Sequence, residues 1–351
     1  MPARVKAPAV PKFPAAATIG RRLWTCRAGF EAHLFEELAW SRGEPKMVGP
    51  ALVESGGLQQ AQPSPAFARV GFTLEALVRD QGPGRPGLLD ALESTLRGVV
   101  GRQTGRWTVQ VWVPDSEAYA KGNEVLGAVE ARVAAIPGAS PVDSSDTLLQ
   151  VVVLSPALAL VGQLARRDAL SLAPGGRERM KREAHASSRA ALKLEEALSR
   201  LALEPSAGDT CVDLGAAPGG WTERLVARGA HVIAVDPANL SPALAKHRKV
   251  THVQASAFAY EPEEKVDWLF CDMAWRPLEV AQLLGKWARR GWADQLVANI
   301  KLPMNDKNPI LLRVRHTLRE AGWAGLEMRQ LYHDRDEVTV TAHRAPKGGR
   351  K

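Results

Sequence analysis

The sequence predicts an α/β chain whose second half is an open, mostly parallel seven-stranded sheet ending in a reversed hairpin, preceded by a smaller α/β region. Three observations predict it. From residue 210 onward, short runs of apolar and β-branched residues alternate with helical patterns, as parallel strands joined by crossovers require. The first of these runs ends in a glycine-rich turn that opens a helix, Thr-Cys-Val-Asp-Leu-Gly-Ala-Ala-Pro-Gly-Gly-Trp at 210–221. The last two runs are separated only by His333-Asp-Arg-Asp336, too little chain for a crossover, so they pair antiparallel. A chain of 351 residues is long for one domain, and two are expected.

The elements follow in order. Residues 1–18, rich in Pro, Ala and Lys, read as a disordered arm. Residues 19–80 form a small amino-terminal α/β unit: a strand at 22–26, a helix at 30–40 with apolar Phe30, Leu34, Phe35, Leu38 and Ala39 near helical spacing, and weaker strands at 47–53 and 68–77. Gly82-Pro-Gly-Arg-Pro-Gly87 has the composition of a linker and separates this unit from a module at 81–165. That module reads as helix 88–100, strand 107–114, helix 124–136 and paired strands 148–154 and 158–164. Residues 166–185 form a basic linker. A helix at 188–203 follows, with Ala191, Leu194, Ala197, Leu198 and Leu201 on one face, Lys193 at its edge and Ser187 or Ser188 as cap. The large sheet, within 186–345, has strands at 210–215, 231–236, 252–255, 267–272, 295–301, 325–332 and 337–343, with helices at 220–228, 241–248, 277–290 and 309–321. Residues 346–351 are a basic tail.

The net charge of +8 favours a polyanionic partner. Cys26, Cys211 and Cys271 are far apart, with neither disulfide nor metal spacing, and fit a reducing, cytoplasmic setting. The longest apolar run, 148–162, is interrupted and too short to span a bilayer, and the start has no core of signal length. Nothing demands more than a monomer.

The glycine turn carries the chemistry. Gly215, Ala216, Ala217, Pro218, Gly219 and Gly220 present almost bare backbone at the carboxyl end of a strand, where open sheets bind ligands. The next strand ends in Asp236, suited to the diol of a ribose. A dinucleotide fingerprint needs glycine where Ala217 stands, and Asp213 beside the turn suits a cationic ligand better than a pyrophosphate. The turn therefore favours S-adenosylmethionine over a dinucleotide, and the reversed final hairpin is the arrangement of methyl-donor-dependent enzymes. Later strands end in Asp272 and Lys301, the last begins with Glu337, and Lys193 precedes the first. Two lysines and two carboxylates at one crevice suit methylation of a hydroxyl. A poor nucleophile needs a base, and an amine serves only when its pKa falls from about 10.4.

Ser188-Arg-Ala-Ala-Leu-Lys193-Leu-Glu-Glu, Asp213-Leu-Gly-Ala-Ala-Pro-Gly-Gly-Trp221, Cys271-Asp272-Met, Lys301-Leu-Pro-Met304 and Tyr332-His-Asp-Arg-Asp-Glu337-Val-Thr-Val resemble the heat-shock-type ribosomal RNA 2′-O-ribose methyltransferases. Within them, the chain is most similar to the bacterial enzymes acting on a cytidine of 23S ribosomal RNA. Cys26-Arg-Ala-Gly-Phe-Glu31 also resembles the amino-terminal region of that group, which implies an RNA-binding THUMP-like region ahead of a Rossmann-like catalytic domain. The resemblance implies a catalytic tetrad of Lys193, Asp272, Lys301 and Glu337, with Lys301 accepting the proton. It implies donor contacts from Ser188, the 215–218 turn, Asp236 and Asp272. Where the group carries aspartate after the third strand of this sheet, this chain has Ser256, a weaker acceptor. Trp221 closes the donor loop, although packing is its expected role, and His333 is expected in the turn.

Two other transfers fit less well. A base amino-methyltransferase needs Asn/Asp-Pro-Pro-Tyr where this chain has Asp272-Met-Ala-Trp275, and a cytosine C5 enzyme needs a nucleophilic cysteine where Cys271 alternates away from the crevice. An RNA-binding ribosome-assembly factor with an inactive methyltransferase domain is the alternative from another class. The complete set of four charged residues argues against it.

Overall fold

A computed structural model describes residues 7–11, 17–41, 43–56, 64–178, 189–201 and 203–345, which fall into two compact units, Met1–Arg177 and Glu178–Lys351. Ser188, and with it the expected donor contact and helix cap, lies outside the described residues, as does the 346–351 tail.

In the first unit the elements are β1 (Arg22–Thr25), α1 (Glu31–Trp40), β2 (Lys46–Gly49), β3 (Leu52–Ser55), β4 (Val70–Arg79), α2 (Leu88–Val100), β5 (Trp107–Trp112), α3 (Asn123–Ala134), β6 (Thr147–Ser155) and β7 (Leu158–Ala165). The strands form one sheet in the order β2-β3-β1-β4-β7-β6-β5. Its core gathers Leu92 and Leu96 of α2, Val129 of α3 and the sheet residues Phe72, Val151 and Leu160.

Three expectations are corrected here. The 82–87 stretch does not separate two units, because β4 before it and β7 after it pair antiparallel, Thr73 opposite Gln163. Turns and linkers share a composition, and Gly82 and Gly84, both at positive φ, only turn the chain from β4 into α2. The single strand expected at 47–53 is a hairpin of β2 and β3, broken where Pro50 has no N–H to donate and Ala51 takes a φ of 57°. Residues 17–18 of the expected arm and 172–177 of the expected basic linker pack onto this unit. Ala17 is buried and Thr18 donates to both carboxylate oxygens of Glu54, while Gln110 Nε2 donates to Leu172 O and Arg177 to Val113 O.

The second unit contains α4 (Arg189–Leu198), β8 (Thr210–Leu214), α5 (Gly220–Ala227), β9 (His231–Val235), α6 (Pro242–Ala245), β10 (Val250–Val253), β11 (Val266–Cys271), α7 (Pro277–Arg290), β12 (Ala293–Lys301), α8 (Lys307–Glu320), β13 (Trp323–Arg329) and β14 (Glu337–Arg344). The order is β10-β9-β8-β11-β12-β14-β13. All described neighbours pair parallel except β14, which runs against both β12 and β13, so the expected reversed hairpin is present. β8, β9 and β11 are mostly apolar runs because helices cover both faces of the sheet, whereas β10 at the edge is Val-Thr-His-Val. On one face α4 buries Leu194 and Leu198 against Cys211, Phe270 and Val297. Each such leucine contributes about 1.5–3 kcal/mol. That burial fixes the helix carrying Lys193 over the carboxyl ends of β11 and β12.

Candidate active site

Strand register builds the site. β12 and β14 place Lys301 directly opposite Glu337 and Asn299 opposite Thr339, so these side chains share a face. Leu302 N donates to Asp336 O at 2.7 Å, which closes the pairing at its open end. Lys193 contacts Glu337 Oε1 from α4, and Lys301 Nζ lies 3.6 Å from Oε2 of the same carboxylate. One buried carboxylate therefore serves two ammonium groups. The two lysines are not equivalent: the Lys301 side chain is 43% exposed and that of Lys193 only 11%. Lys301 is open to an incoming substrate, whereas Lys193 is held inside.

Asp272 follows β11, and its Oδ1 accepts from Asn299 Nδ2 at 3.2 Å. Burial pushes its carboxyl above the usual range, while Lys193, the Asn299 hydrogen bond and Lys301 pull it back. All four expected catalytic residues thus interact at one place. Three of them, Lys193, Lys301 and Glu337, line a pocket of ≈ 330 Å³ together with Leu302, His333, Arg335 and Asp336.

The loop before Glu337 is set by a residue that the sequence reading passed over. Glu196, buried on α4, accepts hydrogen bonds from the backbone N–H of Tyr332 and His333 at 2.7 and 3.1 Å. It sits one helical turn beyond Lys193, so the same helix carries one lysine of the site and the anchor of the loop leading to Glu337. Its spacing from Lys193 was the available signal.

The donor loop joins the site at β8. Gly215 has a φ of 80°, and a Cβ there would sit 2.6 Å from Met273 Cγ and 3.2 Å from its Cα. The turn therefore lies directly on the backbone after Asp272. We expect Gly215→Ala to cost about 1–3 kcal/mol of stability through the left-handed backbone and to weaken methyl-donor binding. Thermal unfolding and a donor titration measure the two effects. Ala216 is buried and its N–H points to Val235 O; Ala217 N donates to Asp236 Oδ2 at 3.1 Å, and Ala238 N donates to Oδ1 at 2.8 Å. Asp236 is thus pinned where β8 and β9 end, with its remaining lone pairs available to a diol. Pro218 is exposed, its carbonyl accepting from Ser241 N. Gly219, at a φ of 119°, and Gly220 start α5. Ser256 is exposed and its hydroxyl accepts from Phe258 N at 3.3 Å, so it closes its own turn.

Two residues of the donor loop turn into the core, Trp221 in the packing role expected of it and Asp213 away from the ligand it was expected to face. Trp221 is in the core under α4, edge-on to Phe270, with Nε1 donating to Ala190 O at 2.8 Å. As the second residue of α5 it faces the sheet, because its large apolar ring gains more there than at a wet crevice. Asp213 is 1% exposed and accepts from Thr222 Oγ1 at 2.7 Å, so it supports the loop from below. Burial raises its carboxyl to about 7, against the Thr222 hydrogen bond. The folded chain therefore holds a proton there that the unfolded chain, near 3.8, releases. The stability this contributes is complete below the unfolded value and is lost as pH rises through about 7. Each unit between the two values is worth about 1.4 kcal/mol. Urea unfolding from pH 5 to 8 is expected to show wild-type stability falling along this segment and Asp213→Asn flattening it.

With Cys26, Cys211 and Cys271 all buried and Cys271 pushed up to about 12 by burial, none presents a thiolate at the crevice. No helix among the described residues is long and apolar enough to cross a membrane.

This sheet, with its glycine turn and its charged strand ends, is that of an FtsJ-like methyltransferase, and residues 186–287 match the family model of that description. The ribosomal RNA large subunit methyltransferase M of Halorhodospira halophila is 34% identical over 335 residues, covering 91% of this chain and 95% of that one. Relatives of the same description from Teredinibacter turnerae and Methylococcus capsulatus are 42% identical over 207 residues and 44% identical over 175 residues. These matches cover 56% and 47% of this chain, and 59% and 50% of theirs. The chain belongs to the family of ribosomal RNA large subunit methyltransferase M.

Proposed function

We propose that the carboxyl-terminal unit transfers a methyl group from S-adenosylmethionine to a ribose 2′-hydroxyl of 23S ribosomal RNA, at a cytidine, and that the amino-terminal unit is its THUMP-like RNA-binding region. The observation that carries the reading is the shared carboxylate of Glu337, which joins a buried Lys193 to an open Lys301 beside Asp272. The protein works in the cytoplasm as a monomer.

The residues present fit the methyl donor. Asp236, pinned by two backbone N–H groups, suits its ribose diol, the backbone of 215–218 lies against Met273, and Asp272 reaches the same crevice. When bound, the donor supplies an electrophilic methyl carbon on a sulfonium that leaves as a thioether. Lys301 Nζ, as the free amine, takes the proton of the 2′-hydroxyl as the oxygen attacks. Lys193 holds the oxygen, Glu337 keeps both lysines in place, and Asp272 aims Lys301.

Arg335 lines the pocket, exposed and with no salt-bridge partner among the described residues, a suitable ligand for a phosphate flanking the target ribose. Arg335→Ala is expected to raise KM for RNA about tenfold with kcat nearly unchanged, and to reduce the slope of log affinity against log salt by about 1. Steady-state kinetics at several salt concentrations check this. The reading itself is tested with methyl-labelled donor and unmodified 23S RNA. Label retained on the RNA supports it, and donor binding without transfer favours the inactive-domain alternative.

A further inference from the structure

Beyond the four charged residues, the site contains a line of buried polar groups that none of them explains. Asn299, Thr339 and Asp334 are 1%, 3% and 0% exposed. Asn299 Nδ2 donates to Asp272 Oδ1 at 3.2 Å, Thr339 Oγ1 lies 2.7 Å from Asn299 Oδ1, and the same hydroxyl lies 3.1 Å from Asp334 Oδ2. Leu331 N donates to that Asp334 oxygen at 2.8 Å. The cross-strand register holds the middle of the line, since Asn299 and Thr339 are paired across β12 and β14.

Counting protons gives the line a direction. Asp272 faces the amide, and a carboxylate accepts, so Nδ2 of Asn299 must be the atom beside it. Asn299 Oδ1 then needs a donor, and Thr339 supplies its only hydrogen. With that hydrogen committed, the contact between Thr339 and Asp334 requires a hydrogen from Asp334. Reversing the amide would move the requirement to Asp272, which would then have to carry the proton. Asp272 is buried and feels Glu337, but two lysines, Lys193 and Lys301, and the Asn299 hydrogen bond favour its charge. Asp334 feels Lys193 but also Glu337 and Glu196.

We propose that Asp334, in its acid form, Thr339 and Asn299 make a proton-ordered hydrogen-bond chain that fixes the Asp272 carboxylate toward the lysines, which makes them positioning residues for methyl transfer. The direction of the Asp334 shift agrees, its carboxyl being held well above the usual range chiefly by burial. This rests on the proposed function only for its kinetic consequence; the proton order is a property of the fold.

The test pairs two substitutions with one spectrum. Thr339→Val keeps the shape but leaves Asn299 Oδ1 without a donor. Thr339→Ser keeps the hydroxyl. The chain predicts that the Val variant loses about tenfold to a hundredfold in kcat through misplacement of the reacting groups. KM for RNA and for S-adenosylmethionine should stay within about twofold of wild type, while the Ser variant recovers most of the rate. In protein labelled with ¹³C at aspartate carboxyls, the signal assigned to Asp334 by its loss in Asp334→Asn should keep a protonated shift from pH 5 to 8. An Asp334 signal at the ionised position overturns the proton order, and a Val variant with wild-type kcat, or a Ser variant as slow as Val, overturns the positioning role. The spectrum needs no substrate, so failure of the methylation reading shows separately, as an inactive wild type with the protonated signal intact.

Discussion

Lys301→Ala is expected to lower kcat for methyl transfer about a hundredfold to ten-thousandfold, the range for removing a general base. The geometry gives the reason. Lys301 is the more open of the two lysines that share the Glu337 carboxylate, and it ends the strand that lines the pocket. A hydroxyl placed there meets the Lys301 amine before any other base of the site. The donor loop lies on β8 and β9, and no described hydrogen bond joins it to Lys301. Affinity for S-adenosylmethionine is therefore expected to stay within about twofold, since that binding is made equally before and during reaction. Single-turnover kinetics with an equilibrium donor titration separate the two. A loss of donor affinity with unchanged rate would show that the lysine binds rather than reacts.

Glu337→Ala is the second large effect and a different one. It removes the carboxylate that is ion-paired to both ammonium groups, with Lys193 largely buried. An unpaired charge left in such a place costs about 3–5 kcal/mol. The variant is expected to lose both stability, by about that amount, and rate, by about a hundredfold, because Lys193 no longer holds its place. The double variant Glu337→Gln, Lys193→Met separates these roles. With the buried ammonium removed together with its carboxylate, no unpaired charge is left inside and stability is restored, while the rate stays low because no ammonium is left beside Lys301. Urea unfolding and kcat on the same preparations give the answer.

Much of this site was legible because strand ends are readable. Asp272 and Lys301 stand where an apolar run stops and Glu337 where one starts, and a period-2 pattern fixes which of their neighbours share a face. The same rule, carried two residues back from Lys301 and two forward from Glu337, leads to Asn299 and Thr339. They were passed over because neutral polar residues inside a strand carry no charge to mark them. Glu196 was hidden for another reason: its partners are the backbone amides of residues 332 and 333, which sequence patterns do not bring near α4. Trp221 and Asp213 stand in the loop motif, but motif membership does not say which way a side chain turns. Burial decided both. In the first unit, the glycine- and proline-rich 82–87 stretch has the composition of a linker, and only the pairing of β4 with β7 reveals one sheet instead of two units.

One experiment follows the methyl group to a ribose oxygen and asks whether Lys301 is needed to put it there. A 2′-O-methyl group removes the nucleophile that alkali uses to cleave RNA, so its position can be read chemically. Unmodified 23S RNA is incubated with the protein and methyl-labelled S-adenosylmethionine, then hydrolysed in alkali. Label is expected in an alkali-resistant dinucleotide whose first nucleoside is cytidine, appearing at least about a hundredfold more slowly with Lys301→Ala. Label confined to mononucleotides, or an undiminished rate of labelling of the dinucleotide with Lys301→Ala, would contradict this.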